Sequence, residues 1–153
     1  MKRLLIVANT PSVNTEALAS ATLVGCRHPD IDSVETKHIP PLEANADDVL
    51  QADGIILGTT ENFGYMSGAL KDFFDRIYYP VLEKKQGMPY ALYVRAGLDG
   101  TGTITAAERI ITGLRWRAIC DPLLLHGEYQ TDFIAQCESL GTLMAASLDA
   151  GIA

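Results

Sequence analysis

Five times along the chain a short apolar run gives way to a stretch with helical periodicity, and this alternation restricts the fold more than any other feature. The first run, Leu4-Leu5-Ile6-Val7-Ala8, is apolar at every position. A strand of that kind is covered on both faces, as central strands of parallel sheets are. A helix is expected over about Asn14–Cys26, with Ala17, Leu18 and Ala21 near one face, broken by His28-Pro29-Asp30. The second strand, about Ser33–His38, alternates Val34, Thr36 and His38 with Glu35 and Lys37, the pattern of a half-exposed edge.

Asn45-Ala46-Asp47-Asp48 opens a short helix ending near Gln51. A buried third strand over Ala52–Gly58 feeds a loop over Thr59–Tyr65, and a helix follows from Ser67 to Tyr78, ended by Tyr79-Pro80. The fourth strand, Pro89–Val94, leads into a glycine-rich loop, Arg95–Gly102, and a helix over Thr103–Trp116. The fifth strand falls within Arg117–Leu125, distorted or split by Pro122, and a last helix covers Thr131–Asp149. Alternating strands and helices with right-handed crossovers make a three-layer α/β domain. The expectation is one domain over residues 1–153, a five-stranded parallel sheet of order 2-1-3-4-5 with helices on both faces.

Folds of this class bind ligands beyond the carboxyl ends of the strands, where the strand order reverses between the first and third. Three loops converge there. The first, Asn9-Thr10-Pro11-Ser12-Val13-Asn14-Thr15, is rich in hydroxyl and amide side chains and runs into a helix N-terminus. Unsatisfied backbone N–H groups and the helix dipole make such a terminus an anion site without fixed cations, although Ser12, Asn14 or Thr15 could equally serve only as caps. The second loop holds Phe63 and Tyr65 around Gly64, and the third is glycine-rich with few large side chains. A phosphate cradle beside an aromatic loop and a glycine loop suits a flat ring with a phosphate tail.

Composition closes off other classes. A net charge of −7 argues against nucleic-acid binding, which needs clustered Lys and Arg. The longest apolar stretches are far short of a membrane span, and no signal-type segment stands at the start, so a cytoplasmic location is expected. Cys26, Cys120 and Cys137 are scattered, with no metal-type spacing, and are expected to be buried free thiols; no metal site is expected. Asn9-Thr10 and Thr59-Thr60 stand where a phosphoacceptor receiver would carry acids, and no cysteine follows the first strand, as a low-molecular-weight phosphatase would require. Neither G-x-x-x-x-G-K nor an early G-x-G-x-x-G is present.

The loops carry a resemblance. Thr10-Pro11-Ser12-Val13-Asn14-Thr15 resembles the phosphate loop of flavodoxin-like NAD(P)H-dependent FMN/quinone reductases. Asn62-Phe63-Gly64-Tyr65-Met66-Ser67-Gly68, followed by Leu70-Lys71-Asp72-Phe73-Phe74-Asp75-Arg76, resembles their flavin-ring loop and the helix after it. The resemblance implies a flavodoxin-like fold and bound FMN. Thr10, Ser12, Asn14 and Thr15, with backbone N–H groups near Val13, would hold the phosphate. Thr60, Glu61, Asn62, Phe63, Gly64 and Tyr65 would border the ring, and Ala96, Gly97, Gly100 and Gly102 would let backbone approach its other side. Arg95 would contact the flavin or a substrate anion, or else pair with an acid. Glu61 would either face the ring, disfavouring its reduced anion, or point into solvent.

With NAD(P)H as donor, the implied activity passes electrons through the flavin to a quinone, a free flavin or a similar small acceptor. No protein group acts as nucleophile or base, so no catalytic residue is expected. The alternative is a flavodoxin-like electron carrier that docks to a redox partner protein. Val13-Asn14 stands where true flavodoxins carry a glycine in their phosphate loop, which favours the reductases. Reductases of this group are often homo-oligomers, and Tyr78, Tyr79, Trp116 and Tyr129 could serve such a contact or simply pack.

Overall fold

The computed structural model describes residues 1–153. Its elements follow in the order β1 (Lys2–Ala8), α1 (Val13–Cys26), β2 (Val34–Ile39), α2 (Ala46–Gln51), β3 (Gly54–Asn62), β4 (Tyr65–Met66), α3 (Gly68–Val81), β5 (Pro89–Ala96), α4 (Thr101–Leu114), β6 (Arg117–Ala118), β7 (Leu123–His126) and α5 (Asp132–Asp149). The sheet runs β2-β1-β3-β5-β6, with β7 also paired to β5 and β4 paired to β3. The expected five strands are therefore seven, and the expected order 2-1-3-4-5 is corrected to this path. Two physical causes account for the difference. Pro122 has no N–H to give a ladder, and it lies in the break between β6 and β7, both of which run parallel to β5. The chain beyond Gly58 does not leave the sheet as a loop; it stays extended to Asn62 and turns back as β4, the sheet's antiparallel pair.

The all-apolar run of β1 is explained by its two faces. Leu4, Ile6 and Ala8 pack toward α1 and α5, together with Ile56, Ala91 and Tyr93. Leu5 and Val7 point the other way, to α2, α3 and α4, together with Ile55, Leu57, Leu92 and Val94. In α3, Leu70, Phe73, Phe74, Ile77 and Val81 form the buried stripe. Pro80 does not end this helix as expected but sits in its last turn, where the following Leu82 N–H still reaches Tyr78 O at 2.9 Å. No helix is long and apolar enough to cross a membrane.

On the other face α1 and α5 meet backbone to backbone. A Cβ at Gly25 would collide with Glu138 O, and one at Gly141 with Thr22 O. The Thr142 hydroxyl donates to Gly25 O at 3.0 Å across the same contact. Alanine in a helix interior ordinarily gains about 1 kcal/mol over glycine. Here the sign should reverse: Gly25→Ala or Gly141→Ala should cost about 2 kcal/mol or more through overpacking, read as a lower urea midpoint. Gly68→Ala, which meets nothing within 4 Å, should be neutral or slightly stabilising in the same measurement.

Candidate flavin site

The parallel register sets Ala8 beside Gly58 and Thr60 beside Arg95, so the three strand ends open at one level. Asn9 N–H donates to Gly58 O at 2.9 Å, which fastens the first loop to β3 as it leaves the sheet. An open cleft of about 440 Å³ lies between the loops, lined by Asn9, Pro11, Ser12, Asn14, Thr15, Thr60, Glu61, Asn62, Arg95 and Gly97. That volume is within the range of small-molecule sites.

Ser12 is the N-cap of α1. Its Oγ accepts Thr15 N–H at 3.2 Å, while Thr15 Oγ1 accepts Ser12 N–H at 2.9 Å and donates to Ser12 O at 3.0 Å. The two hydroxyl oxygens also lie 3.0 Å apart, so with the Thr15 proton on Ser12 O the Ser12 hydroxyl donates to Thr15 Oγ1 and both protons are held inside the turn. Three backbone N–H groups of this loop, those of Thr10, Val13 and Asn14, have no acceptor within the chain. They stand at the positive end of α1, where an anion is favoured. His38 Nε2–H donates to Ala8 O at 3.0 Å and steadies the strand end beneath them.

The second wall is a hairpin. Asn62 pairs with Tyr65, leaving Phe63-Gly64 as a two-residue turn with φ of 55° and 76°. Positive φ at both positions is the primed turn that suits a tight hairpin. Phe63 holds this conformation while fully exposed, so neither its backbone nor its ring gains from burial. The hairpin is pinned to α4: the Thr103 hydroxyl donates to Tyr65 O at 3.0 Å, and a Cβ at Gly102 would lie 2.6 Å from Gly64 O.

The glycines of the third loop divide by role. Gly100 has φ of 76° and packs on Leu124 and Ala96, Gly102 makes room for the hairpin, and only Gly97 opens into the cleft with nothing within 4 Å. Ala96 puts its methyl group in the core. Glu61 neither points into solvent nor lies free beside the cleft; its carboxylate accepts the N–H groups of Gly100 at 2.7 Å and Leu98 at 3.3 Å. Arg95 has no acid partner. Its Nη1 donates to Ala96 O at 2.6 Å and Leu125 O at 3.1 Å, and its guanidinium lies 5.2 Å from the centre of the Phe133 ring and 5.9 Å from that of Tyr129. It remains on the cleft wall, the only cation there.

Among the residues expected from the sequence, Ser12, Asn14, Thr15, Thr60, Glu61, Asn62, Arg95 and Gly97 line the cleft together. Thr10 lines an adjoining hollow with Pro40, Pro41 and Leu42, the Val13 side chain faces solvent, and Phe63, Gly64 and Tyr65, in the hairpin that follows Asn62, do not line the cleft. Asn9 and Pro11, part of the same loop but given no role of their own from the sequence, line the cleft as well. The thiols are remote from it. Burial pushes Cys26 up to about 12 and Cys137 up to about 11, too high for a nucleophile at neutral pH. Cys120 is only half-buried, in contrast to the expectation of three buried thiols.

Residues 4–121 match the family described as NADPH-dependent FMN reductase. The chain belongs to that family. It is also similar to a flavodoxin of Aquifex aeolicus, 31% identical over 114 residues, or 74% of this chain and 60% of the relative. A second relative, an NAD(P)H dehydrogenase (quinone) of Acidithiobacillus ferrooxidans, is 29% identical over 94 residues, covering 50% of this chain and 47% of that one. The matches thus span between about half and three-fifths of these curated relatives. Among solved structures, a flavodoxin from the domain Archaea superposes with a TM-score of 0.79 at 21% identity, over 97% of this chain and 99% of the other. The fold is flavodoxin-like, with a parallel main sheet and helices on both faces.

The strained turn offers a direct check on the hairpin. Asparagine tolerates positive φ far better than phenylalanine, so Phe63→Asn should stabilise the fold by about 1 kcal/mol. A raised urea midpoint would show it; an unchanged or lowered midpoint would mean that the exposed ring contributes packing of its own.

Proposed function

We propose that this chain binds FMN in the cleft and passes electrons from NAD(P)H to a small apolar acceptor such as a quinone. The observation that carries this reading is the set of three backbone N–H groups, of Thr10, Val13 and Asn14, left without acceptors at the start of α1. They fit a phosphate, with the Asn14 amide as a further donor and Ser12 and Thr15 holding the turn. Thr60, Asn62 and the hairpin residues Phe63, Gly64 and Tyr65 would border the ring on one side. Gly97 would let backbone come close on the other, with Ala96, Gly100 and Gly102 shaping that wall from behind. Bound FMN would supply the two-electron chemistry, accepting a hydride and returning electrons to the acceptor. The residues of the chain would hold the phosphate and position the ring rather than act on it as nucleophile or base.

The rim favours an uncharged acceptor. Val13, Leu42, Phe63, Tyr65 and Leu98 are exposed apolar groups on the loops around the mouth. A second reading, an electron carrier docking to a partner protein, draws on the same rim and on the flavodoxin among the relatives. Homo-oligomerisation would also cover part of such a rim.

Anaerobic mixing of the FMN-loaded protein with NADPH or NADH separates the readings. Rapid loss of the flavin visible band is expected. No loss with either nucleotide, while dithionite still bleaches the band, would overturn the reductase in favour of the carrier. Failure to take up FMN would overturn both. Ser12→Asp keeps a good N-cap but sets a negative charge against the phosphate. It should weaken FMN binding about 100-fold with little change in stability, equivalent to about 2.7 kcal/mol; undiminished affinity would misplace the phosphate.

A further inference from the structure

Glu61 is the one carboxylate on the cleft wall, in a place meant for a ligand that carries negative charge. Its geometry gives it another task. One oxygen, Oε2, takes the Gly100 N–H at 2.7 Å, and the other, Oε1, takes the Leu98 N–H at 3.3 Å. Gly100 is the N-cap of α4, a helix start with no side-chain cap of its own. Glu61 therefore places its charge at the positive end of that helix, where it is favoured. It also joins β3 to the glycine loop, 39 residues further along the chain. The Thr103 bond to Tyr65 O and the Gly102 contact with Gly64 O lie on the other side of the same junction. Without Glu61, the N–H groups of Leu98 and Gly100 would lose their acceptors, and the loop's tie to β3 would go with them.

We propose that Glu61 is a positioning residue, a latch that holds the glycine loop against the hairpin and so builds the ring-binding slot before the cofactor arrives. The proposal rests on the flavin reading and adds to it. The latch spends the N–H groups of Leu98 and Gly100 on the protein, so neither is offered to the ring. It also keeps a negative charge beside the slot, which disfavours extra negative charge on a reduced ring. Two consequences are separable: a loop held in place without cofactor, and a lowered reduction potential with it.

The test compares the wild-type chain with Glu61→Ala and Glu61→Gln. The glutamine keeps an oxygen for the Gly100 N–H and guards against a loss of fold. In the cofactor-free protein, NMR amide exchange at Leu98 and Gly100 should be slow in the wild type and at least about tenfold faster in Glu61→Ala, with Gly100 partly protected in Glu61→Gln. FMN should bind Glu61→Ala about tenfold or more weakly, and Glu61→Gln less affected. In Glu61→Gln the two-electron midpoint potential of bound FMN should move to more positive values, a change that a purely structural role would not produce. Equal amide exchange in wild type and Glu61→Ala would overturn the latch. Unchanged affinity in Glu61→Ala, or an unchanged potential in Glu61→Gln, would overturn its bearing on the cofactor. A wild-type chain that takes up no FMN would overturn the flavin reading together with this proposal, whereas equal binding by wild type and Glu61→Ala would overturn this proposal alone.

Discussion

The cleft exists because β1 and β3 pair in the register that sets Ala8 beside Gly58. Every loop at the site begins from that level. Asn9 bonds to Gly58 O as soon as it leaves the sheet, His38 bonds to Ala8 O from the far side, and Thr60 faces Arg95 one strand over. A slip of one residue would turn each buried side chain of β1 to the opposite face. Because Leu4 and Ile6 pack on one face and Leu5 and Val7 on the other, the register is enforced by two cores at once. The stability of the sheet and the alignment of the loops are in this sense one property.

The layered architecture was legible because its signals are local. An apolar run such as Leu4–Ala8, or the stripe Leu70, Phe73, Phe74, Ile77, expresses burial directly in sequence. The start of α1 was legible for the same reason, since a capping pair at Ser12 and Thr15 is written within four residues. What escaped was set by contacts between distant segments. Nothing near Glu61 indicates that its partners are Leu98 and Gly100, and nothing near Gly102 announces a carbonyl at Gly64. The glycines after Arg95 were expected to make room for a cofactor, and two of them make room for the protein instead. The continuation of β3 past Gly58 was hidden too, because Thr59–Asn62 is polar and strand pairing there comes from the hairpin rather than from burial.

Rigidity and exposure are divided unevenly around the cleft. The hairpin and the glycine loop are fastened to each other and to α4, yet Phe63 and Leu98 at their tips stand in solvent. The backbone beneath these tips is held by hydrogen bonds, while the side chains themselves gain nothing from burial. Arg95 follows the opposite plan, with its charge laid on aromatic rings and against two backbone carbonyls, so it is a wall of the cleft rather than a mobile arm.

The donors left unpaired at Thr10, Val13 and Asn14 are main-chain atoms. A donor of that kind belongs to every residue except proline, so substitution of the side chains leaves it in place. Only the path of the chain must be kept, and that path is held by the turn between Ser12 and Thr15 and by the bond from Asn9 to Gly58. Recognition of this sort can outlast large drift in sequence. A loop of this build depends on the course of its backbone more than on the side chains it carries.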